Sequence, residues 1–161
     1  MDNADITPVM SAKQQQQVLA KCDLALEQGA QLVTGGVAGG QSGYFVQPTV
    51  LRDISAEMDI FQSEVFGPVL GIMPFDTEQQ AWDLANGTDY GLVAGIFSND
   101  INRCLRGSRA LRAGQVFVNE WYAGGIETPF GGTGLSGFGR EKGQEALYSY
   151  VQTKNIAIRI S

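Results

Sequence analysis

Cys22 and Cys104 are the only thiols in this 161-residue chain, and no histidine accompanies them. A nucleophilic cysteine needs a base or a cation beside it to form its thiolate. A structural zinc site needs four Cys or His ligands at short spacings. Neither requirement is met, so zinc binding and His-assisted catalysis are excluded, and no metal site is expected. Both cysteines fall on the apolar stripes of predicted helices, where a thiol behaves as a small hydrophobe, so neither is expected to be catalytic. Gly132-Thr133-Gly134-Leu135-Ser136-Gly137 matches the GxGxxG spacing of a dinucleotide-binding turn. That fingerprint requires a hydrophobic strand directly before the glycines and an acidic residue on a second strand about 20 residues later. Here Glu127-Thr128-Pro129-Phe130-Gly131 leads in, and one helix and the chain end follow. The spacing therefore predicts a conformationally demanding loop.

The elements that must position such residues follow from composition and periodicity. With 43% hydrophobic residues the chain can build a core, and its length suits one domain or a piece of one. A net charge of -6 without any basic run disfavours nucleic acid and anionic membrane surfaces as partners. No apolar stretch is long enough to span a bilayer, and the N-terminus has no signal-peptide pattern, so a cytoplasmic location is expected.

Along residues 11–28 the apolar Val18, Leu19, Cys22, Ala25 and Leu26 share one helical face, with Ser11 and Gln14 as a capping box and Gly29 as a stop. Residues 31–34 read as a strand and 35–43 as turns. Residues 44–51 read as an extended segment that Pro48 should make irregular or place at an edge. A strand over 69–75 then precedes a helix opening at Thr77, and a second strand-like run covers 92–97. The next helix starts at Asn99 or Asp100, carries Ile101, Cys104, Leu105, Ser108 and Leu111 on one stripe, and closes at Gly114. Residues 116–118 form another buried strand and 119–139 a long glycine-rich loop. A helix over about 140–150 and a strand over 156–160 complete the pattern. Strands apolar on both faces alternating with helices predict an α/β fold, a mostly parallel sheet with helices on both faces.

Several segments, in order and with consistent spacing, resemble one known family. They are Gly43-Tyr44-Phe45-Val46-Gln47-Pro48-Thr49-Val50, Glu64-Val65-Phe66-Gly67-Pro68-Val69, Pro74-Phe75, Leu84-Ala85-Asn86, Tyr90-Gly91-Leu92, Leu111-Arg112-Ala113-Gly114, Val118-Asn119, Pro129-Phe130-Gly131-Gly132 and Ser136-Gly137-Phe138-Gly139-Arg140-Glu141. Together they resemble the C-terminal portion of the catalytic domain of NAD(P)-dependent aldehyde dehydrogenases, over about residues 8–160.

Taken alone, Glu64 reads as a solvated charge near a turn and Phe66 as a core aromatic. The resemblance implies cofactor-binding roles instead. Glu64 would accept hydrogen bonds from the nicotinamide-ribose hydroxyls, and Phe66 would pack near the nicotinamide of NAD or NADP. Trp121, Tyr122, Gly124 and Phe130 would line the route by which an aldehyde substrate enters, although aromatics on a loop equally serve as packing anchors. At Thr133-Gly134-Leu135 the chain departs from the Tyr-Lys pair of many members. The resemblance also implies that the family's nucleophilic cysteine, glutamate base and nucleotide-binding glycines belong to a segment before Met1. The chain is then expected to be a partial catalytic domain over residues 1–154, inactive alone and with no catalytic residue of its own. A terminal strand over 155–161 would join a homo-oligomer, and a non-catalytic assembly module is the alternative reading.

Overall fold

The computed structural model describes residues 6–40, 42–122 and 124–160. They form two compact units, divided between Gly87 and Thr88.

In the first unit the chain enters α1 (Ala12–Glu27) through Ser11, whose hydroxyl accepts the amide of Gln14 at 3.2 Å. This satisfies one of the amides that a helix start leaves without a partner. The helix stops as the sequence predicts. Gly29 takes φ +110°, its amide bonds to Leu26 O at 3.1 Å, and the Ala30 amide bonds back to Ala25 O at 2.9 Å. This is the Schellman arrangement. β1 (Gln31–Thr34) follows, then a short antiparallel pair of β2 (Ala38–Gly39) and β3 (Phe45–Val46), then β4 (Thr49–Arg52). A one-turn helix, α2 (Asp59–Gln62), leads to β5 (Val69–Ile72), and α3 (Glu78–Ala85) is capped by the Thr77 hydroxyl.

The sheet order is β1-β4-β5, with β1 antiparallel to β4 and β4 parallel to β5 over Thr49↔Val69 to Arg52↔Ile72. Pro48 does interrupt the extended segment, but β4 is the central strand and not an edge. The proline sits between β3 and β4, so its missing N–H falls outside the four-residue ladders. Leu51, Ala25, Ala30, Ile54 and Met58 form the core cluster, and Val18 and Cys22 continue the same buried face of α1. Among the described residues Thr49 is the buried polar one. Its hydroxyl accepts from Gly36 N and donates to Gln47 O, both at 2.8 Å. Next to it Gly35 has φ +81°, and a Cβ there would lie 2.3 Å from Pro48 O, so no other residue fits. The expectation that the strands are buried on both faces is not met on β5, where Leu70 and Ile72 remain exposed.

The second unit repeats the β-α-β logic. β6 (Tyr90–Gly91) precedes β7 (Val93–Ile96), α4 (Ile101–Ala110) and β8 (Gln115–Val118), and β7 and β8 pair in parallel from Val93↔Gln115 to Ile96↔Val118. Asp100 rather than Asn99 caps α4, its Oδ1 accepting from the amides of Asn102 and Arg103. The buried line of α4 runs through Cys104 and Gly107. Ile101 and Leu105, expected on that stripe, are exposed. Gly114 does not close the helix, which ends at Ala110. It is instead a point of backbone contact, where an added Cβ would stand 1.7 Å from Gly131 O.

The glycine run forms β9 (Thr133–Gly134), antiparallel to β6, rather than a strand-turn-helix cradle. The helix expected over 140–150 is a 3-10 helix at Gln144–Ser149. The strand expected over 156–160 finds no ladder partner among the described residues, and Ile156, Ile158 and Ile160 are exposed. A strand exists only through a neighbour that takes up its N–H and C=O groups, so its apolar alternation alone does not make one. Among the described residues no helix is long and apolar enough to cross a membrane, and no group of three or more His, Cys, Asp or Glu is placed to hold a metal.

Leu51→Ala, which empties a fully buried site in the core cluster, should destabilise the first unit by about 3 kcal/mol. Ser11→Ala should cost about 1 kcal/mol through the lost cap. Urea unfolding monitored by circular dichroism checks both values, and a Leu51→Ala loss below that of Ser11→Ala would contradict the core assignment.

Candidate functional site

The segment between α2 and β5 carries Glu64 and Phe66, both exposed. Phe66 is 70% exposed with φ +55°, the left-handed region that a bulky residue rarely adopts. An ordinary core aromatic would be neither, so the packing explanation for this ring fails. The segment is held against α1 at three levels. The Lys21 ammonium donates to the Ser63 hydroxyl and lies 3.6 Å from the Asp59 carboxylate. The Gln14 side-chain amide donates to Val65 O at 3.2 Å and to Phe66 O at 3.1 Å. Gly67 sits so close to the helix that a Cβ would come within 2.6 Å of Val18 Cγ2. Pro68 then hands the chain to the sheet, its carbonyl accepting the Thr49 amide at 2.9 Å.

Between this segment and the helix lies an open groove of about 490 Å³, walled by Gln14, Gln17, Lys21 and Leu24 on one side and by Glu64, Val65 and Phe66 on the other. A carboxylate that only accepts hydrogen bonds and an exposed ring thus stand together at a groove with amide and ammonium groups on its opposite wall. Such a place can take a ligand that offers hydroxyl donors beside a flat face.

In the second unit the aromatic residues of the long loop gather around the end of β8. Phe117 of β8 meets Trp121 at a ring-centroid distance of 5.7 Å and Tyr122 at 6.2 Å, and Tyr122 meets Phe130 at 6.4 Å, all in tilted geometry. Trp121 lies against Gly95 of β7, where a Cβ would be 2.7 Å from the indole. It nevertheless stays 58% exposed, so it both packs and presents a face. Tyr122, Gly124 and Phe130 line a small recess with Phe117, Thr128 and Lys142. Gly124 takes φ +110°, and a Cβ there would be 2.8 Å from Thr128 Oγ1, so the turn demands glycine.

The loop is tied at both ends. Asn119, at φ +55°, donates its amide to Ile96 O at 2.8 Å, while its side chain accepts from Ser98 N and donates to Ser98 O. Phe130 and Glu141 exchange a pair of backbone hydrogen bonds, both 2.7 Å.

Both cysteines are 1% exposed. The Cys104 thiol donates to Ser98 O at 3.7 Å. Burial, and then the adjacent Asp23 carboxylate, push the Cys22 thiol above its ordinary value of 9.0, the opposite of what a nucleophile needs. Of the residues that the family resemblance singles out, Glu64 and Phe66 stand at one groove and Tyr122, Gly124 and Phe130 at one recess, while Trp121 packs on Gly95 and Phe117 and does not line that recess. Sequence reasoning misses the role of the Gln14 side chain, which reads as the capping-box partner of Ser11 but holds the Phe66 backbone. It also misses Lys142, whose ammonium stands 5.7 Å from the Phe130 centroid and 6.0 Å from that of Tyr122. Neither leaves a local signal, because each contact depends on the tertiary fold.

The family model for the aldehyde dehydrogenase family matches residues 1–156. A betaine aldehyde dehydrogenase of Cereibacter sphaeroides is 42% identical over 151 residues, which are 94% of this chain and 31% of that protein. Mouse aldehyde dehydrogenase, cytosolic 1, is 41% identical over 154 residues, 96% of this chain and 31% of that protein. The NAD+ complex of an aldehyde dehydrogenase from Bacillus cereus superposes with a TM-score of 0.95 at 35% identity, covering 100% of this chain and 33% of that one. The chain thus spans about a third of the length of these relatives.

The raised Cys22 thiol has a signed consequence for stability. Below pH 9.0 the thiol keeps its proton in both folded and unfolded chains. As pH rises past that value the unfolded chain ionises first, so folded stability is lost at up to about 1.4 kcal/mol per pH unit until the folded thiol also ionises. Urea midpoints at about pH 8 and about pH 10 should fall further in the wild-type chain than in Cys22→Ala. Equal falls would show that the thiol is not shifted.

Proposed function

The chain belongs to the aldehyde dehydrogenase family, and on that premise we propose that it is the C-terminal part of the catalytic domain of an enzyme oxidising an aldehyde to a carboxylic acid with NAD or NADP. The observation that carries this reading is the pose of Phe66, exposed and left-handed beside the exposed Glu64 at the rim of a groove. Strained non-glycine backbone is retained where function requires it.

The residues present fit the nicotinamide riboside end of such a cofactor. The Glu64 carboxylate suits a vicinal diol, and the Phe66 ring offers a face that limits the swing of a flat heterocycle before transfer. When bound, the cofactor supplies the hydride acceptor. Trp121, Tyr122, Gly124 and Phe130 would form one side of the route by which the aldehyde enters, with the remainder of the parent enzyme closing it from bulk water. The attacking thiol is not Cys22 or Cys104, because neither reaches the surface. In this reading the nucleophile and base come from the remainder of the parent enzyme, and a cytoplasmic location goes with it.

Residues 155–160 support a second role. Their alternating exposed isoleucines have no ladder partner among the described residues, and such a segment is suited to pairing with a sheet of another subunit. The chain would then act as an assembly module of a homo-oligomer, and sedimentation as a strict monomer at high concentration counts against that role.

Incubated with NAD, NADP and a panel of aldehydes, the isolated chain should accumulate no reduced cofactor, because covalent catalysis without its nucleophile loses nearly all its rate enhancement. Sustained production at the rate of an ordinary enzyme would overturn this. The coding sequence upstream of the Met1 codon should continue in frame into a segment bearing a cysteine nucleophile.

A further inference from the structure

We infer that Gln14 is a positioning residue that sets Phe66, and with it Glu64, in the pose that faces the groove. The inference rests on the nicotinamide reading for its functional meaning and on geometry for its content. Phe66 occupies a backbone region that disfavours a side chain of its size, so something outside the residue must hold it there. The residue's own neighbours supply only part of the restraint. Gly67 is fixed by its contact with Val18, and Pro68 by its bond to Thr49. The two carbonyls before Gly67 are both taken by one amide group, Gln14 Nε2, across 51 and 52 positions of sequence.

An amide bridging successive carbonyls fixes their relative direction, and so the two torsions between them, in a way that one bond to either could not. Gln14 can act as this bridge because α1 holds it rigidly. It is the third residue of the helix, and its own backbone amide is taken by the Ser11 cap. Helix start and groove rim are therefore one unit, with the cap setting the bridge and the bridge setting the ring.

The third helical position also separates this role from mere support of α1. A carboxylate there favours the helix, by completing a capping box and by complementing the positive end of its dipole, whereas an ammonium disfavours it. Donor capacity runs the other way, because Gln14→Glu removes the donor and Gln14→Lys keeps one. If Gln14 only stabilised the helix, Gln14→Glu would be the benign change. As the bridge to Val65 and Phe66, it makes Gln14→Lys the benign change for the loop.

NMR of the isotope-labelled chain without cofactor reads this directly through the amide-to-α-proton coupling and α-carbon shift of Phe66, which report a positive φ. Wild type and the surface control Gln16→Ala should show the left-handed signature. Gln14→Ala and Gln14→Glu should lose it, with averaged couplings across residues 64–66, and Gln14→Lys should retain it in large part. In the wild type, the Gln14 side-chain amide protons should exchange with solvent about tenfold more slowly than those of Gln16, as expected of a donor held in two bonds. An unchanged Phe66 signature in Gln14→Glu, or identical behaviour of Gln14→Glu and Gln14→Lys, overturns the inference. Should Gln14→Ala fail to fold, the Glu and Lys variants still decide. Because no cofactor enters the measurement, failure here leaves the nicotinamide reading standing, and failure of that reading leaves this geometry intact.

Discussion

The contact between Val18 and Gly67 governs what the first unit can present. A valine methyl lies where the Cβ of any larger residue at position 67 would have to be, so the chain after Phe66 can approach α1 only as bare backbone. With that approach fixed, the preceding carbonyls fall within reach of Gln14, the following carbonyl reaches β4, and the Phe66 ring stands exposed. Exposure of a large aromatic is unfavourable by itself, costing about 2 kcal/mol relative to burial. Here it follows from backbone geometry that other contacts impose.

The same economy appears in the second unit, where glycines mark points of closest approach. Gly114 meets Gly131, and Gly95 carries the Trp121 indole. The long loop is therefore seated on the strands by main-chain contact, and its aromatic residues gather around Phe117 without a deep core beneath them. Lys142 lies over two of these rings, an arrangement that favours an ammonium through the negative faces of the rings.

How much of this was legible in the sequence depended on the range of the interaction. Ser11, Thr77 and Gly29 announced helix ends because caps act over three or four residues, and the structure agrees with them. Asp100 was one of two candidates for the same reason. Pro48 correctly marked a break, yet its strand is central, because which strand is an edge depends on partners that local sequence does not name. Ile101 and Leu105 matched a helical stripe, but α4 turns Cys104 and Gly107 inward instead. Glu64 and Phe66 were located by family resemblance, not by their chemistry. The bridge from Gln14 was invisible, since its spacing from Ser11 marks it only as a capping-box partner and nothing local ties its side chain to carbonyls 51 and 52 positions away.

The double hold on the long loop has an evolutionary corollary. Asn119 fastens one end to the turn after β7, and the Phe130–Glu141 pair fastens the other. The stretch in between can exchange side chains without loosening the strands that carry it. A lineage could therefore exchange these few side chains while the scaffold stays constant. Variety at the surface would then coexist with constancy of architecture.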